Sequence, residues 1–206
     1  MTILTCLGDS ITDCYHCFSD DFLGNGYVKM LSERFCSEGI DCYVRNQGID
    51  GFTVGRLLQK TQRDADLSGN IITILIGIND IGMMLNTHRT EKQQNMMQQS
   101  FQSQYAELLT ILTKHTSKII LMEPFLFPWP AFYHTWLPFR QDMANNIQTL
   151  AKEFRLPYLT LHQELNEEAR KYGYSSITTD GIHLTCQGQK FLADRLYPLL
   201  LSFGIS

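Results

Sequence analysis

No apolar run in this 206-residue chain approaches the length of a membrane span, and its first residues hold neither a basic segment nor a small-residue cleavage site. Basic residues are outnumbered: 17 Lys and Arg against 21 Asp and Glu give a formal charge of −4, and no basic cluster offsets it. That balance argues against a nucleic-acid duplex or an anionic membrane surface as partner. Also missing are the Gly-x-Gly-x-x-Gly and Gly-x4-Gly-Lys-Ser/Thr loops that cradle phosphates in nucleotide-binding folds. A soluble cytoplasmic protein is the expectation. The six cysteines (Cys6, Cys14, Cys17, Cys36, Cys42 and Cys186) lack the spacing of a disulfide framework and are read as reduced thiols. Cys14-Tyr15-His16-Cys17 has one zinc-like pair, but no second pair completes a tetrahedral set, so it is read as a loop. With no repeat, linker or shift in composition, residues 1–206 are expected to form a single domain, large enough to bury a core without metal or disulfides.

What is present is an alternation of short apolar runs with helical patterns. Ile3-Leu4-Thr5-Cys6-Leu7 reads as a buried strand stopped by Gly8-Asp9-Ser10-Ile11-Thr12. Residues 13–25 are turn-rich and read as a surface loop that could wall a site. Val28, Leu31 and Phe35 recur at helical spacing, Asp41 to Arg45 reads as a second strand, and Thr53 caps a helix to about Leu67. The run Ile71 to Ile76 is the clearest strand, β-branched at every position but Leu75, as in a parallel sheet covered on both faces. It ends at Gly77-Ile78-Asn79-Asp80, followed by a loop with Met83, Met84 and Leu85 and a helix from about Thr90 to His115. A fourth strand, Lys118 to Met122, precedes a segment in which Pro124, Pro128, Pro130 and Pro138 interleave with six aromatics from Phe125 to Trp136, which blocks regular structure there. A helix from Arg140, a strand Tyr158 to Leu161, a helix from Glu164 and a last helix from Gly188 complete a doubly wound α/β sheet of about five parallel strands.

In such a sheet the strand-exit loops gather on one edge, where ligands bind. Here those loops hold Ser10, Gly51 and Asn79, and the last loop brings Asp180 and His183. A serine hydroxyl needs a base to become a nucleophile, histidine is the side-chain type suited to that, and His183 is the candidate. Asp180, three residues earlier, can fix the imidazole tautomer through the other ring nitrogen. The tetrahedral intermediate needs donors aimed at its oxyanion, each contributing roughly 3–4 kcal/mol; the backbone amides of Ser10 and Gly51 and the side chain of Asn79 are the candidates. Asp9 and Asp80 are read as mainly structural, with Asp9 also a candidate for substrate contact. His88, His115 and His162 read as surface histidines, and His16 and His134 as solvated loop residues bordering the site. The aromatic segment reads equally as core or as a sugar-stacking or acyl-binding wall; Trp129 and Trp136 within it, Arg140 at the start of the following helix and Phe52 in the glycine loop are candidate substrate contacts.

Gly8-Asp9-Ser10, the glycine loop after the second strand, Gly77-x-Asn79-Asp80 and Asp180-x-x-His183 resemble, in order, the four blocks of the SGNH (GDSL-like) hydrolases. The resemblance implies a three-layer α/β/α fold of flavodoxin-like type, a Ser10-His183-Asp180 triad with no cofactor or metal, and an oxyanion hole from Ser10, Asn79 and a glycine. That glycine is Gly48 or Gly51, with Gly51-Phe52-Thr53 the better match. A narrower likeness, carried by Gly8 to Asp13, Gly26-Tyr27-Val28, Ile76 to Asp80 and Met122 to Phe125, is to intracellular acetylxylan esterases, which deacetylate xylo-oligosaccharides and can be homo-oligomeric. The leading expectation is a serine esterase acting on a small-molecule or oligosaccharide ester through an acyl-enzyme. A lysophospholipase or thioesterase uses the same chemistry. A metal-dependent phosphoesterase built on Asp9, Asn79, Asp80, Asp180 and His183, and a non-catalytic flavodoxin-like module, stand as the readings from other classes.

Overall fold

The β-branched run at Ile71 has no polar face to offer solvent, and it lies at the centre of a parallel sheet with every residue of the strand buried. In the computed structural model, which describes residues 1–64 and 69–205, the strands are β1 (Thr2–Gly8), β2 (Cys42–Gly48), β3 (Ile71–Leu75), β4 (Ile119–Met122) and β5 (Tyr158–Leu159). Their order is β2-β1-β3-β4-β5, all parallel. The chain winds outward in both directions from β1 and β3, so the crevice between these two carboxyl ends is the switch point where such sheets bind ligands. Register places Gly8 opposite both Gly48 and Leu75, which levels the exits of the three strands that carry Ser10, Gly51 and Asn79.

The helices are α1 (Ser10–Asp13), α2 (Tyr27–Ser37), α3 (Val54–Arg63), α4 (Ile78–Leu85), α5 (Glu91–Leu112), α6 (Leu137–Phe154), α7 (His162–Tyr172), α8 (Tyr174–Ile177) and α9 (Cys186–Ser202). α3, α4, α5 and α6 pack on one another, as do α2, α9, α8 and α7, giving two helical layers about the sheet. α5 shows why: Phe101, Tyr105, Leu108, Leu109 and Leu112 repeat at helical spacing and are all buried, while Thr90 and Gln93 close its first turn with a capping box. Its glutamine-rich start is largely exposed, as a solvated helix face should be.

Several boundaries differ from the sequence reading. β2 runs on to Gly48 because it pairs with β1 along its whole length. Residues after Asn79 form α4 rather than a loop, with Ile78, Ile81 and Met84 turned into the core. The proline-rich segment contains a 3-10 stretch, Ala131–Trp136, and α6 begins before Arg140, with Pro138 in the first turn where a missing N–H costs nothing. β5 is two residues long, and α8 went unanticipated. The expected helix end near Leu67 lies outside the described residues.

Candidate active site

β1 delivers the chain to Asp9, the N-cap of α1, and Ser10 is the first residue of that helical turn. Ser10 Oγ lies 2.9 Å from His183 Nε2, and His183 Nδ1 lies 2.6 Å from Asp180 Oδ2. The other Asp180 oxygen accepts the backbone N–H of Ile182 at 2.9 Å and of His183 at 2.8 Å. Burial acts to raise the Asp180 pKa, but the hydrogen bonds from the His183 ring and these two amides outweigh it and hold the carboxyl below its ordinary value. The outer half of this relay is open: the His183 and Asp180 side chains are 46% and 47% exposed.

Asp180 and His183 lie on the last loop rather than at a strand exit: they occupy a tight turn between α8 and α9, closed by an antiparallel bridge from Thr178 to Leu184. The buried Thr178 hydroxyl accepts Gly181 N–H at 2.9 Å and donates to the His183 carbonyl at 2.7 Å. Gly181 (φ +98°) is required here, since a Cβ would come within 2.1 Å of the Trp129 carbonyl oxygen. Phe127 N–H in turn donates to the Gly181 carbonyl at 2.9 Å. The proline and aromatic segment after β4 thus buttresses the histidine turn.

Three groups are candidate oxyanion donors: the amides of Ser10 and Gly51 and the side chain of Asn79. Asn79 Nδ2 donates one hydrogen to the Phe52 carbonyl at 3.0 Å, which orients the amide and leaves its second hydrogen available. The amides of Ser10 and Gly51 have no hydrogen-bond partner among the described residues. Gly48 differs: its N–H is spent on Asn46 Oδ1 at 3.0 Å, and its missing side chain makes room for Asp13, whose nitrogen a Cβ would meet at 2.2 Å. Below this level Asp9 is buried on the Ile11 N–H, and Asp80 accepts Val54 N–H at 3.1 Å at the start of α3. Desolvation pushes both carboxyls up to about 7, and for Asp80 the neighbouring Asp9 adds to it.

Two clefts border the residues of the site, one reaching Ser10 and His183 and the other Gly51, Asn79 and Ile182. One, of about 370 Å³, is lined by Ser10, His183 and Asp180 together with Asp13, Asp50, Tyr15 and Phe18, and no Lys or Arg borders it. The other, of about 440 Å³, is lined by Gly51, Asn79, Met83, Tyr133, Trp136 and Ile182, with the Trp136 ring close against Gly82 as its floor.

The remaining candidates separate. Asp9 is 1% exposed and cannot touch a substrate. Arg140 is 2% exposed and forms an ion pair with Glu123 at 2.7 Å, so it belongs to the interior. Glu123 also accepts the N–H groups of Leu161 and His162 at 2.7 and 2.9 Å, which ties β4, α6 and α7 together. Phe52 acts through its carbonyl, its ring packing on the core. Trp129 stacks on Tyr174 and borders the histidine turn without lining either cleft, whereas Trp136 does line the second. Phe125 and Phe127 are core. His162 is not a surface residue: burial, with the Arg140 charge nearby, lowers its pKa to about 4. Tyr15, Phe18, Asp50, Ile182 and Thr178 were not singled out from the sequence, and Tyr133 entered only as one of the six aromatics of the proline-rich segment. Their residue types are ordinary in loops, and only the location of residues 13–25 beside Ser10 pointed toward the first two.

The ligand set of the phosphoesterase reading does not assemble: Asp9 and Asp80 are committed to backbone amides at helix starts, and their carboxylates are not grouped with Asp180 and His183 in metal-ligating geometry. Among the described residues one group has metal-ligating geometry, Asp13, His16 and Cys17. None of the helices described is long and apolar enough to cross a membrane.

Comparison with known proteins gives the same frame. The family model for GDSL-like lipases and acylhydrolases matches residues 6–191. No curated protein matches the chain. Among solved structures, a GDSL-like lipase from Parabacteroides merdae superposes with a TM-score of 0.84 at 21% identity, covering 100% of this chain and 96% of that one. The acetylxylan esterase Axe2 of Geobacillus stearothermophilus gives 0.79 at 22%, covering 97% and 94%. An α/β hydrolase from the Lake Arreo metagenome gives 0.81 at 20%, covering 96% and 94%. At these identities the superpositions establish the fold.

Proposed function

The chain belongs to the GDSL-like lipase/acylhydrolase family and is a carboxylic ester hydrolase; from that premise we propose that it removes a short acyl group, acetyl foremost, from a neutral carbohydrate alcohol. Ser10 attacks the ester carbonyl as His183 Nε2 takes its proton, and Asp180 stabilises the imidazolium that forms. The oxyanion rests on the amides of Ser10 and Gly51 and on Asn79 Nδ2. His183 then returns the proton to the departing alcohol oxygen, and water, activated by the same imidazole, releases the acyl group.

The leaving alcohol must lie against His183, which assigns it to the cleft with Tyr15, Phe18, Asp13 and Asp50. The observation that carries the substrate reading is the lining of this cleft: carboxylates and open aromatic faces, with no cation. Phe18 is 79% and Tyr15 68% exposed, faces on which a sugar ring can lie. A phosphate-bearing alcohol, such as a lysophospholipid or a coenzyme thioester, would meet like charge there with no Lys or Arg among the described lining residues to offset it. The groove floored by Trp136 then receives the acyl group. Two solved Axe2 structures are catalytic mutants, in which an aspartate or a serine is replaced by alanine; Asp180 and Ser10 are the residues proposed for those parts here.

The test is acetate release from 4-nitrophenyl acetate and from an acetylated xylo-oligosaccharide, by wild type and Ser10→Ala. The expected result is turnover of both by wild type only, with KM on the oligosaccharide rising several-fold in Phe18→Ala at unchanged kcat. A mutant at position 10 as active as wild type would overturn the mechanism. Preference for long-chain or phosphorylated esters would overturn the substrate.

A further inference from the structure

The segment Asp13 to Cys17 performs no step of the hydrolysis, yet it is shaped with unusual care. Cys14 and Tyr15 are both in the left-handed region, at φ 40° and 72°. Neither is glycine, and each such residue costs on the order of 1 kcal/mol, so two in succession need an outside cause. Their effect is to reverse the chain at the end of α1 and carry His16 and Cys17 back over Asp13. The reversal is clamped by Asn46, whose buried side-chain amide donates to the carbonyls of Thr12, Asp13 and Leu23 at 2.8, 3.2 and 2.9 Å. Asn25 N–H holds the Cys14 carbonyl at 2.8 Å, and Gly48 lets β2 come up against the Asp13 backbone.

What the reversal brings together is one carboxylate, one imidazole and one thiol, whose ligand atoms all lie within 4.8 Å of one another. His16 Nδ1 is 2.5 Å from Asp13 Oδ1, and Cys17 Sγ is 3.7 Å from the same ring nitrogen. With Zn–S near 2.3 Å and Zn–N near 2.05 Å, a tetrahedral ion holds sulfur and nitrogen about 3.5 Å apart. The sulfur is therefore close to ligand separation from Nδ1, but it stands equally near Nε2 at 3.6 Å, so binding swings the thiol toward the Nδ1 side while the carboxylate, which also accepts Cys17 N–H at 3.1 Å, retreats by less than about 1 Å.

We infer that Asp13, His16 and Cys17 form a binding site for a borderline-soft divalent cation, zinc being the best chemical match, on the wall of the alcohol cleft. The ion takes the place of the proton between Asp13 Oδ1 and His16 Nδ1. That ring proton is transferred to Nε2, the Cys17 thiol releases its proton to solvent as the metal–sulfur bond forms, and water fills the remaining coordination position. Cys14, the other half of the Cys-x-x-Cys spacing, is not a ligand: its sulfur lies 3.7 Å from Gln189 Nε2 instead. Asp13 also lines the cleft at Ser10, so occupancy places a cation beside the site where ester hydrolysis is proposed, without entering that chemistry.

The probe is Co2+, titrated into chelator-treated full-length protein. One equivalent should bind with a near-ultraviolet sulfur-to-cobalt charge-transfer band, and Zn2+ should displace it. Cys17→Ser should abolish the band, and both Cys17→Ser and His16→Gln should weaken binding by about 100-fold or more, whereas Cys14→Ser should keep both. Zn2+ should raise the Tm of wild type and Cys14→Ser only. Both ligand variants fall on the 3-10 turn His16–Phe18, where Cys17 is exposed and His16 partly covered, and their metal-free Tm reports that they fold. Absence of the band in wild type, its survival in Cys17→Ser, or its loss in Cys14→Ser would each overturn the assignment.

Discussion

Replacing Asp180 by asparagine should stop the proposed reaction while leaving the site almost unmoved, for a reason visible in the turn itself. Asp180 Oδ1 accepts two backbone amides, from Ile182 and His183. In Asp180→Asn only the amide oxygen can take that position, so the NH2 group is forced to face His183 Nδ1. A ring nitrogen facing a donor must be unprotonated, which puts the proton on Nε2, 2.9 Å from Ser10 Oγ, where a base is needed. Inverting the tautomer in this manner costs up to about 10⁴ in kcat in a serine protease with the same relay. Here the His183 and Asp180 side chains are nearly half exposed, and water can compete with the asparagine. The expected loss is therefore nearer 10³, or about 4 kcal/mol of transition-state stabilisation. Initial rates on 4-nitrophenyl acetate should show this fall in kcat with KM changed by less than threefold and Tm within a few degrees of wild type (~1 kcal/mol). A loss below about tenfold, or one carried by KM, would refute the proposed function of Asp180.

Asn79→Ala removes one oxyanion donor, so kcat should drop by about 10²–10³ at constant KM, with roughly 1 kcal/mol of stability lost with the Phe52 bond; a drop under tenfold would remove Asn79 from the oxyanion site. Arg140→Met leaves the Glu123 charge buried beside its two amide donors and should cost about 3–5 kcal/mol in denaturant unfolding. Its KM should not change in the folded protein, and a rise would return Arg140 to the substrate. His162, with its pKa lowered from 6.5 to about 4, favours folding while neutral: that stabilisation is full above pH 6.5 and is lost as pH falls toward 4, at most about 3 kcal/mol. Asp9 and Asp80, raised from 3.8 to about 7, act oppositely, stabilising at acid pH and losing that contribution as pH rises through 7. The difference in Tm between wild type and His162→Asn should therefore shrink between pH 6.5 and 4, and a constant difference would contradict the burial of the ring.

Much of this architecture is legible in the chain because its cues are local. The run Ile71 to Ile76 can bury both faces only inside a sheet, and the spacing of Phe101, Tyr105, Leu108 and Leu112 can bury one face only as a helix. α4 was missed because Gly77 and the two methionines at 83 and 84 look like a loop until the core they face is known. Arg140 was read as a candidate substrate contact because its partner, Glu123, lies 17 residues away, just after β4. His162 looked exposed for the same reason: nothing adjacent in sequence says that it will lie against Leu126 and Asn166.

For the candidate site, the residue types and their order were determined by the sequence alone: a serine after β1, an asparagine after β3, and an Asp-x-x-His before the last helix carry their chemistry wherever they are placed. Distances were not available there, since Ser10 and His183 are 173 residues apart and only the packing of α9 and the proline-rich segment against the sheet brings Oγ to within 2.9 Å of Nε2. The choice between two glycines, the closing of Thr178 over the histidine turn and the folding of His16 and Cys17 back on Asp13 are also tertiary outcomes. Each depends on which backbone amide or side chain is already occupied by a partner distant in the chain, and no local pattern carries that information.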